Sequence, residues 1–275
     1  MSLFFVDQKK CHRDGLCAAE CPAKIIEIND PEGFPAPIPD AEEFCIQCGH
    51  CVAICPHGAL TLKTVEPKDC LPVKKELLLS AEHCEHFLRS RRSIRNYKEK
   101  PVPHELLKKL IEVVRYAPSG HNSQPVHWMV FENRETVKHL ATLVADWMRW
   151  MLKENSEYAL MMHFDRVVTA FGQGVDRILR DTPHLIVAYG LSTLPAAQPA
   201  CIIALTYLEL AAPCFGLGTC WAGYFNAAAN NYPPLQEFLA LPKDHLPYGA
   251  AMIGYPKFGY QRMPPRNAPD ITWRD

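Results

Sequence analysis

The chain has 275 residues, 48% apolar and 21% charged, with a formal net charge of −1. These are ordinary globular values, enough for one medium domain and a small one, and the near-zero charge gives no bulk field to draw nucleic acid or an acidic membrane. No apolar run approaches the ~18 residues of a membrane span, and the short apolar patch before Cys11 predicts no signal peptide.

Seven of the twelve cysteines lie in the first 55 residues, and they repeat. One run is Cys45, Cys48, Cys51 and Cys55, followed by Pro56. An offset of 34 residues (45 − 11) maps Cys11 onto Cys45, Cys17 onto Cys51, Cys21 onto Cys55, and Asp14 onto Cys48. This spacing is far more specific than a cysteine count and argues against disulfides. It resembles the ligand run of two-cluster bacterial ferredoxins, in which a short loop aims three thiolates at one iron–sulfur cluster and the fourth cysteine reaches the other. Cys45, Cys48, Cys51 and Cys21 would hold one cluster, and Cys11, Cys17 and Cys55 the other. A reducing, cytoplasmic setting follows. Cys70, Cys84, Cys201 and Cys214 have no ligand spacing and read as small buried hydrophobes.

Phe4–Val6, residues 25–28 and residues 59–62 read as short strands flanking the ligand loops, as does the segment before Cys45. The proline-dense stretch 30–39 joins the two halves and cannot be helical. Residues 1–64 thus form a two-cluster domain, 65–82 a linker, and 83–275 a second domain. Ser80 can cap a helix. Residues 103–114 carry a helical apolar face that stops at 117–120. Residues 126–131 read as a buried strand, about 135–180 as a helical stretch interrupted by Gly172 and Gly174, and 184–189 as a strand. Residues 200–215 form an apolar helix and 250–255 a strand. This order indicates an α+β or α/β catalytic domain.

Arg91, Arg92, Ser93 and Arg95 place three guanidiniums and a hydroxyl within five residues, a composition suited to phosphate or to a solvated helix end. With the Pro103 helix start, the run from Ala117 to Pro125, the run from Gly216 to Gly223 and the segment Ile253–Pro256, this motif resembles the nitroreductase family of FMN enzymes. The blocks appear in family order over about residues 86–275. With the cysteine runs in front, the whole chain is similar to the ferredoxin-fused members.

The resemblance implies an α+β fold with a central antiparallel or mixed sheet, a homodimer, and FMN at the interface. Arg91, Arg92, Ser93 and Arg95 would hold its phosphate and ribityl chain. Pro118, Ser119, Gly120 and Asn122 would reach the flavin from the second subunit, with Gln124 supporting that loop. Thr219, Cys220, Trp221, Ala222 and Gly223 would run along the ring. Arg262 or Arg266 would add a further phosphate contact. Cys220 is either a packing residue or a redox thiol. Trp221 is packing or a substrate platform, and His121 is structural or a proton donor. Tyr158, Met161, Met162, His163 and Arg166 lie in the stretch that covers the flavin in this family.

Asp14 leaves three outcomes for the first cluster: a four-iron cluster with carboxylate on one iron, a three-iron cluster, or a four-iron cluster with a labile corner. Oxygen is a harder, weaker partner than thiolate for such iron. The expected function is an oxidoreductase passing electrons between clusters and FMN to a small acceptor: a nitroaromatic, quinone, activated alkene or halogenated aromatic. The ferredoxin-like part favours reduced ferredoxin as donor; NAD(P)H is the other candidate, because members of the resembled family bind it at the flavin face without the dinucleotide-binding glycine fingerprint, which is not visible here. The alternative is a redox carrier or sensor serving a partner protein; a pocket over the flavin would favour the enzyme.

Overall fold

The structure, a computed structural model, describes residues 2–30 and 32–274. Met1, Pro31 and Asp275, which fall in the expected domains and connection, lie outside the described residues. Two compact units divide the rest. The first runs to Leu78 and includes Gly120–Ser123, and the second comprises Leu79–Ser119 with Gln124 onward.

In the first unit, β1 (Phe4–Val6) pairs antiparallel with β4 (Leu60–Leu62), and β2 (Ile26–Glu27) with β3 (Ala36–Pro37). Three short helices lie between them: α1 (Leu16–Glu20), α2 (Ala41–Phe44) and α3 (His50–Ala53). The cysteine repeat is also a backbone repeat. Gly15 and Gly49, again 34 apart (49 − 15), take φ of 73° and 72° immediately before α1 and α3. Glycine enters that left-handed region without Cβ strain, so each ligand loop turns sharply into its helix. Side chains of Leu3, Phe4, Ile26, Val52, Leu60 and Leu62 pack with Cys17, Cys21 and Cys51 in one core. The segment before Cys45 is the single-turn α2 rather than a strand, with Glu42 and Glu43 in its first turn where the helix dipole favours acids.

The second unit is built on a four-stranded antiparallel sheet. Its strands are β5 (His127–Phe131), β6 (His184–Leu191), β7 (Gly218–Trp221) and β8 (His245–Gly254), in spatial order β5-β6-β8-β7. The register pairs Phe131 with Leu185, His184 with Ile253, and Gly218 with Gly254. The apolar run of β6 is unbroken because both its faces are buried. Alternate side chains point oppositely. Leu185 and Val187 therefore join one core with Ala250 and Met252, under α6 (Arg134–Glu154) and α10 (Gly223–Asn231). Ile186 and Ala188 join the other with Ala251 and Ile253, under α5 (His104–Val114) and α9 (Ala197–Ala211). α4 (Ala81–Ser90) begins where Ser80 accepts a bond from His83 N at 3.2 Å. α6 begins where Asn133 accepts from Glu135 N at 2.8 Å. Each cap satisfies an amide that the first helical turn leaves orphaned.

Several expectations are corrected. The helical stretch ends at Gly172, not near residue 180. It is three helices, α6, α7 (Ser156–Met161) and α8 (Phe164–Gly172), broken at Asn155 and at His163, whose φ is 55°. β7, α10 and α11 (Pro233–Leu239) are elements that the apolar periodicity did not separate. α9 and its 3-10 continuation, Ala197–Phe215, are long and apolar enough to cross a membrane by length and composition, contrary to the sequence expectation. Gln198, Thr206 and Glu209 break the linear run, and one face of the helix packs on the sheet. Of the four unassigned cysteines only Cys201 is buried; Cys70 and Cys84 are half-buried, and Cys214, on the turn after Pro213, is exposed.

Candidate functional site

Cys21, Cys45, Cys48 and Cys51 line one cavity floored by Leu3, Phe4 and other apolar side chains. Burial, with the facing sulfurs of Cys48, Cys21 and Cys45 adding to it, pushes the Cys51 thiol up to about 11. Burial also raises Cys17, with Cys11 and Cys55 adding to it against the Ala18 amide. The first set is the four cysteines, and the second the three, that the spacing groups. Thiols that resist ionisation alone give up their protons to cationic iron, so the donor set fits a cluster. Among the described residues no group is arranged around a single metal ion. The amide of Ala59 donates to Cys55 Sγ at 3.3 Å, the kind of bond that tunes a cluster sulfur. Asp14 is exposed in the loop between Cys11 and Cys17, and its Oδ1 accepts from Leu16 N at 3.2 Å, bracing the entry to α1.

In the second unit, three sequence-distant blocks meet. Ile94 N donates to Thr219 O at 2.8 Å, Tyr97 bridges to Pro256, and Lys98 N donates to Tyr255 O at 2.8 Å. The basic segment is therefore laid along β7 and the end of β8. Gly218 is required there, because a Cβ would strike the Ile94 side chain. Arg95 and Ser93 come beside Cys220 as a result. Burial pushes the Cys220 thiol up, while Arg95 and Arg180 pull it back.

Arg91 Nη1 lies 2.7 Å from Glu209 Oε1, with both side chains largely buried. The other oxygen of Glu209 accepts from Trp221 Nε1 at 3.3 Å. Sequence reasoning missed Glu209. It sits far from the motif along the chain, and its only signal is a lone acid in the apolar run of α9. Arg89, Arg91, Arg92 and Arg266 line a cavity of about 590 Å³ with Met263 and Pro264. Arg92 Nε is buried there without an acceptor, a donor suited to an anionic oxygen. Arg262 is exposed and does not line this cavity, so of the two candidate C-terminal arginines only Arg266 joins the cluster.

A second cavity, of about 370 Å³, is lined by Arg95, Cys220, Trp221 and Gly223. Tyr158 and Met162 of the variable stretch also line it, and Met161, His163 and Arg166 do not. Thr219 and Ala222 are buried at its edge in β7 and the turn that follows.

The remaining block lies elsewhere. Pro118, Ser119 and Gln124 line a third cavity, of about 290 Å³, with Arg115 and Trp128. Ser119 Oγ accepts from Gln124 N at 2.9 Å. The turn Gly120–Asn122 belongs to the first unit, where Asn122 Nδ2 donates to Gln47 O at 3.0 Å, inside the Cys45–Cys48 ligand loop. His121 is exposed, and His121, Asn122 and Gln124 all take left-handed φ, of 52°, 52° and 45°. Three such non-glycine residues in four positions persist only where surrounding contacts over-determine them, which is common in functional loops.

An arginine-lined cavity and a glycine-bounded strand end, in a chain that also carries a set of four and a set of three clustered cysteines, define the class: a flavin-dependent oxidoreductase with iron–sulfur cofactors. The chain belongs to the nitroreductase family, whose model matches residues 88–255, more than half of the sequence. Residues 4–56 match the model of a 4Fe-4S dicluster domain. An FMN reductase [NAD(P)H] of Bacillus subtilis is 31% identical over 169 residues, covering 62% of this chain and 64% of that protein. A nitroreductase with bound FMN from Bacteroides fragilis superposes with a TM-score of 0.57 at 21% identity, over 70% of this chain and 98% of that one. A nitroreductase with bound FMN from Desulfitobacterium hafniense gives 0.57 at 23% identity, over 72% and 100%. These two solved structures share the fold.

Proposed function

We propose that the chain binds FMN in its second unit and two clusters in its first. In this reading electrons pass from the clusters through the flavin to a small acceptor: a nitroaromatic, quinone, activated alkene or halogenated aromatic. The observation that carries it is the pinning of the basic segment along β7, which brings Arg91, Arg92, Ser93 and Arg95 to the edge of the 219–223 block. Arg91, Arg92 and Arg266 would hold the phosphate, with Arg92 Nε supplying a donor that nothing else satisfies. The backbone of 219–223 would run along the ring, and Arg95 would face the charge that the ring accumulates on reduction. FMN, when bound, stores two electrons and releases them together or singly. The cavity of about 370 Å³ beside this block supports an enzyme over a carrier, since it leaves room for a small acceptor.

Cys21, Cys45, Cys48 and Cys51 are assigned to a four-iron cluster. Cys11, Cys17 and Cys55 are assigned to a second, in which Asp14 takes the fourth position or leaves a three-iron centre. A homodimer in the cytoplasm, with reduced ferredoxin or NAD(P)H as donor, completes the reading; no nucleic acid or membrane partner is invoked.

The test uses the full chain with Cys48→Ala. Its flavin should be retained and reducible by dithionite, while flavin reduction by ferredoxin should be lost. Ferredoxin-driven reduction at the parental rate would remove the clusters from the electron path.

A further inference from the structure

The turn between α8 and β6 has no role in the reading above, yet it is among the most tightly specified loops in the second unit. Asp176 accepts three backbone amides: Ile178 N at 2.7 Å and Leu179 N at 3.0 Å on Oδ1, and Asp181 N at 3.0 Å on Oδ2. Ile178 and Leu179 are buried beneath the turn at 3% and 0% exposure. Arg180 and Asp181 take left-handed φ of 57° and 49°, a conformation that costs a non-glycine residue free energy unless its surroundings enforce it. The construction has one visible result. It brings Arg177 and Arg180 to the lining of the cavity of about 370 Å³, which Arg95 also lines.

Three guanidiniums then face one cavity whose lining contains no Asp or Glu. Among the described residues none of the three makes an ion pair with a carboxylate. Arg180 is half-buried, Arg95 and Arg177 are exposed, and like charges gathered at one cavity repel, a repulsion that a bound anion relieves. An independent feature points the same way. Trp147 lines this cavity, is 3% exposed, and its indole N–H is buried without an acceptor. Indole nitrogen only donates, so the missing partner is an acceptor atom. The walls add Phe164, Tyr158, Trp221 and Tyr224, flat surfaces suited to a ring.

We propose that Arg177 and Arg180, presented by the Asp176-braced turn, select an aromatic acceptor that carries an anionic oxygen group such as a carboxylate, with Trp147 donating to the same ligand. This rests on the reading that residues 219–223 face the flavin, with Arg95 serving the ring and the turn serving the acceptor. The shared chemistry, a planar group bearing negative charge, is also that of a reduced flavin ring, so the experiment separates the two.

Benzoate and benzyl alcohol are titrated calorimetrically into the full-length, FMN-loaded parent and into its Arg177→Gln, Arg180→Gln and double variants. FMN content is measured on the same samples. The parent should prefer benzoate to benzyl alcohol by at least about tenfold, and each single variant should lose about tenfold to a hundredfold in benzoate affinity with benzyl alcohol unchanged. Trp147→Phe, which keeps a ring but removes the donor, should weaken benzoate by about threefold to tenfold. Equal binding of the two probes by the parent overturns the proposal. So does loss of FMN from the arginine variants with benzoate affinity intact per loaded site, which would assign the turn to the flavin. A parent that holds no FMN would defeat the preceding reading alone, because the benzoate titration on the same chain still decides this one.

Discussion

Glu209→Gln isolates the contribution of one carboxylate. The Arg91–Glu209 contact is 2.7 Å, and the side chains are 25% and 13% exposed. At an effective dielectric near 20 the raw attraction is on the order of 4–6 kcal/mol, much of it cancelled by the cost of taking both charges from water. Removing the charge leaves Arg91 half-buried with a neutral neighbour, a net loss of about 1.5–3 kcal/mol. For a unit of this size that lowers Tm by roughly 3–10 °C. Flavin should respond in the opposite sense. With Glu209 neutral, Arg91 is uncompensated until a phosphate arrives, so FMN should raise the variant's Tm by more than it raises the parent's. Riboflavin, which lacks the phosphate, should raise both alike. Scanning calorimetry of the flavin-free chain with each ligand is the assay. Equal gains from FMN in parent and variant would refute the reasoning and move the phosphate away from Arg91.

Other outcomes follow from the same geometry. Asp14→Cys should raise bound iron toward two full four-iron clusters and abolish any three-iron signal after mild oxidation; iron analysis with electron paramagnetic resonance decides it, and identical spectra would argue against Asp14 at the cluster. Cys220→Ala should keep turnover within about threefold of the parent, because burial holds that thiol protonated and unreactive; a loss of a hundredfold would make it a redox group. His184, 2% exposed, accepts from Val102 N at 2.8 Å through Nε2, and burial lowers its pKa from 6.5. Its folded value lies below its unfolded one, so its contribution is complete above about pH 6.5 and is lost as pH falls through the lowered value. His184→Gln keeps an acceptor that does not titrate. The parent's stability relative to this variant should therefore decline below pH 6.5, and parallel pH profiles would count against the account.

What the sequence made legible was local. Cluster ligands sit on one short loop each, so their spacing alone carries the chemistry, and the companion glycines at 15 and 49 repeat with them. β6 and β8 announce themselves as continuous apolar runs because both faces are covered. β7 was hidden: Gly218–Trp221 is four residues long and was legible only as part of a family motif. Arg177 and Arg180 were hidden for a different reason. Their direction depends on two left-handed residues and on a carboxylate that accepts three amides, and neither leaves a periodic trace. Glu209 reaches its partners only once α9 packs beside β7. The Cys214 expectation failed because Pro213 ends the helix and turns the thiol outward.

The excursion of Gly120–Ser123 into the first unit bears on the order in which the molecule can be made. On the ribosome the N-terminal unit has all of its contiguous sequence once Leu78 emerges, yet four of its residues are still to be synthesised. At about 5–20 residues per second the wait is roughly 2–9 s. During that interval the carbonyl of Gln47, between two cluster ligands, lacks the amide donor it has in the finished protein. Insertion of iron and sulfide before the excursion arrives would meet an unbraced ligand loop; insertion after it would meet a braced one. Maturation of the iron–sulfur unit is thereby tied to translation of the flavin unit, although the two occupy separate stretches of the chain.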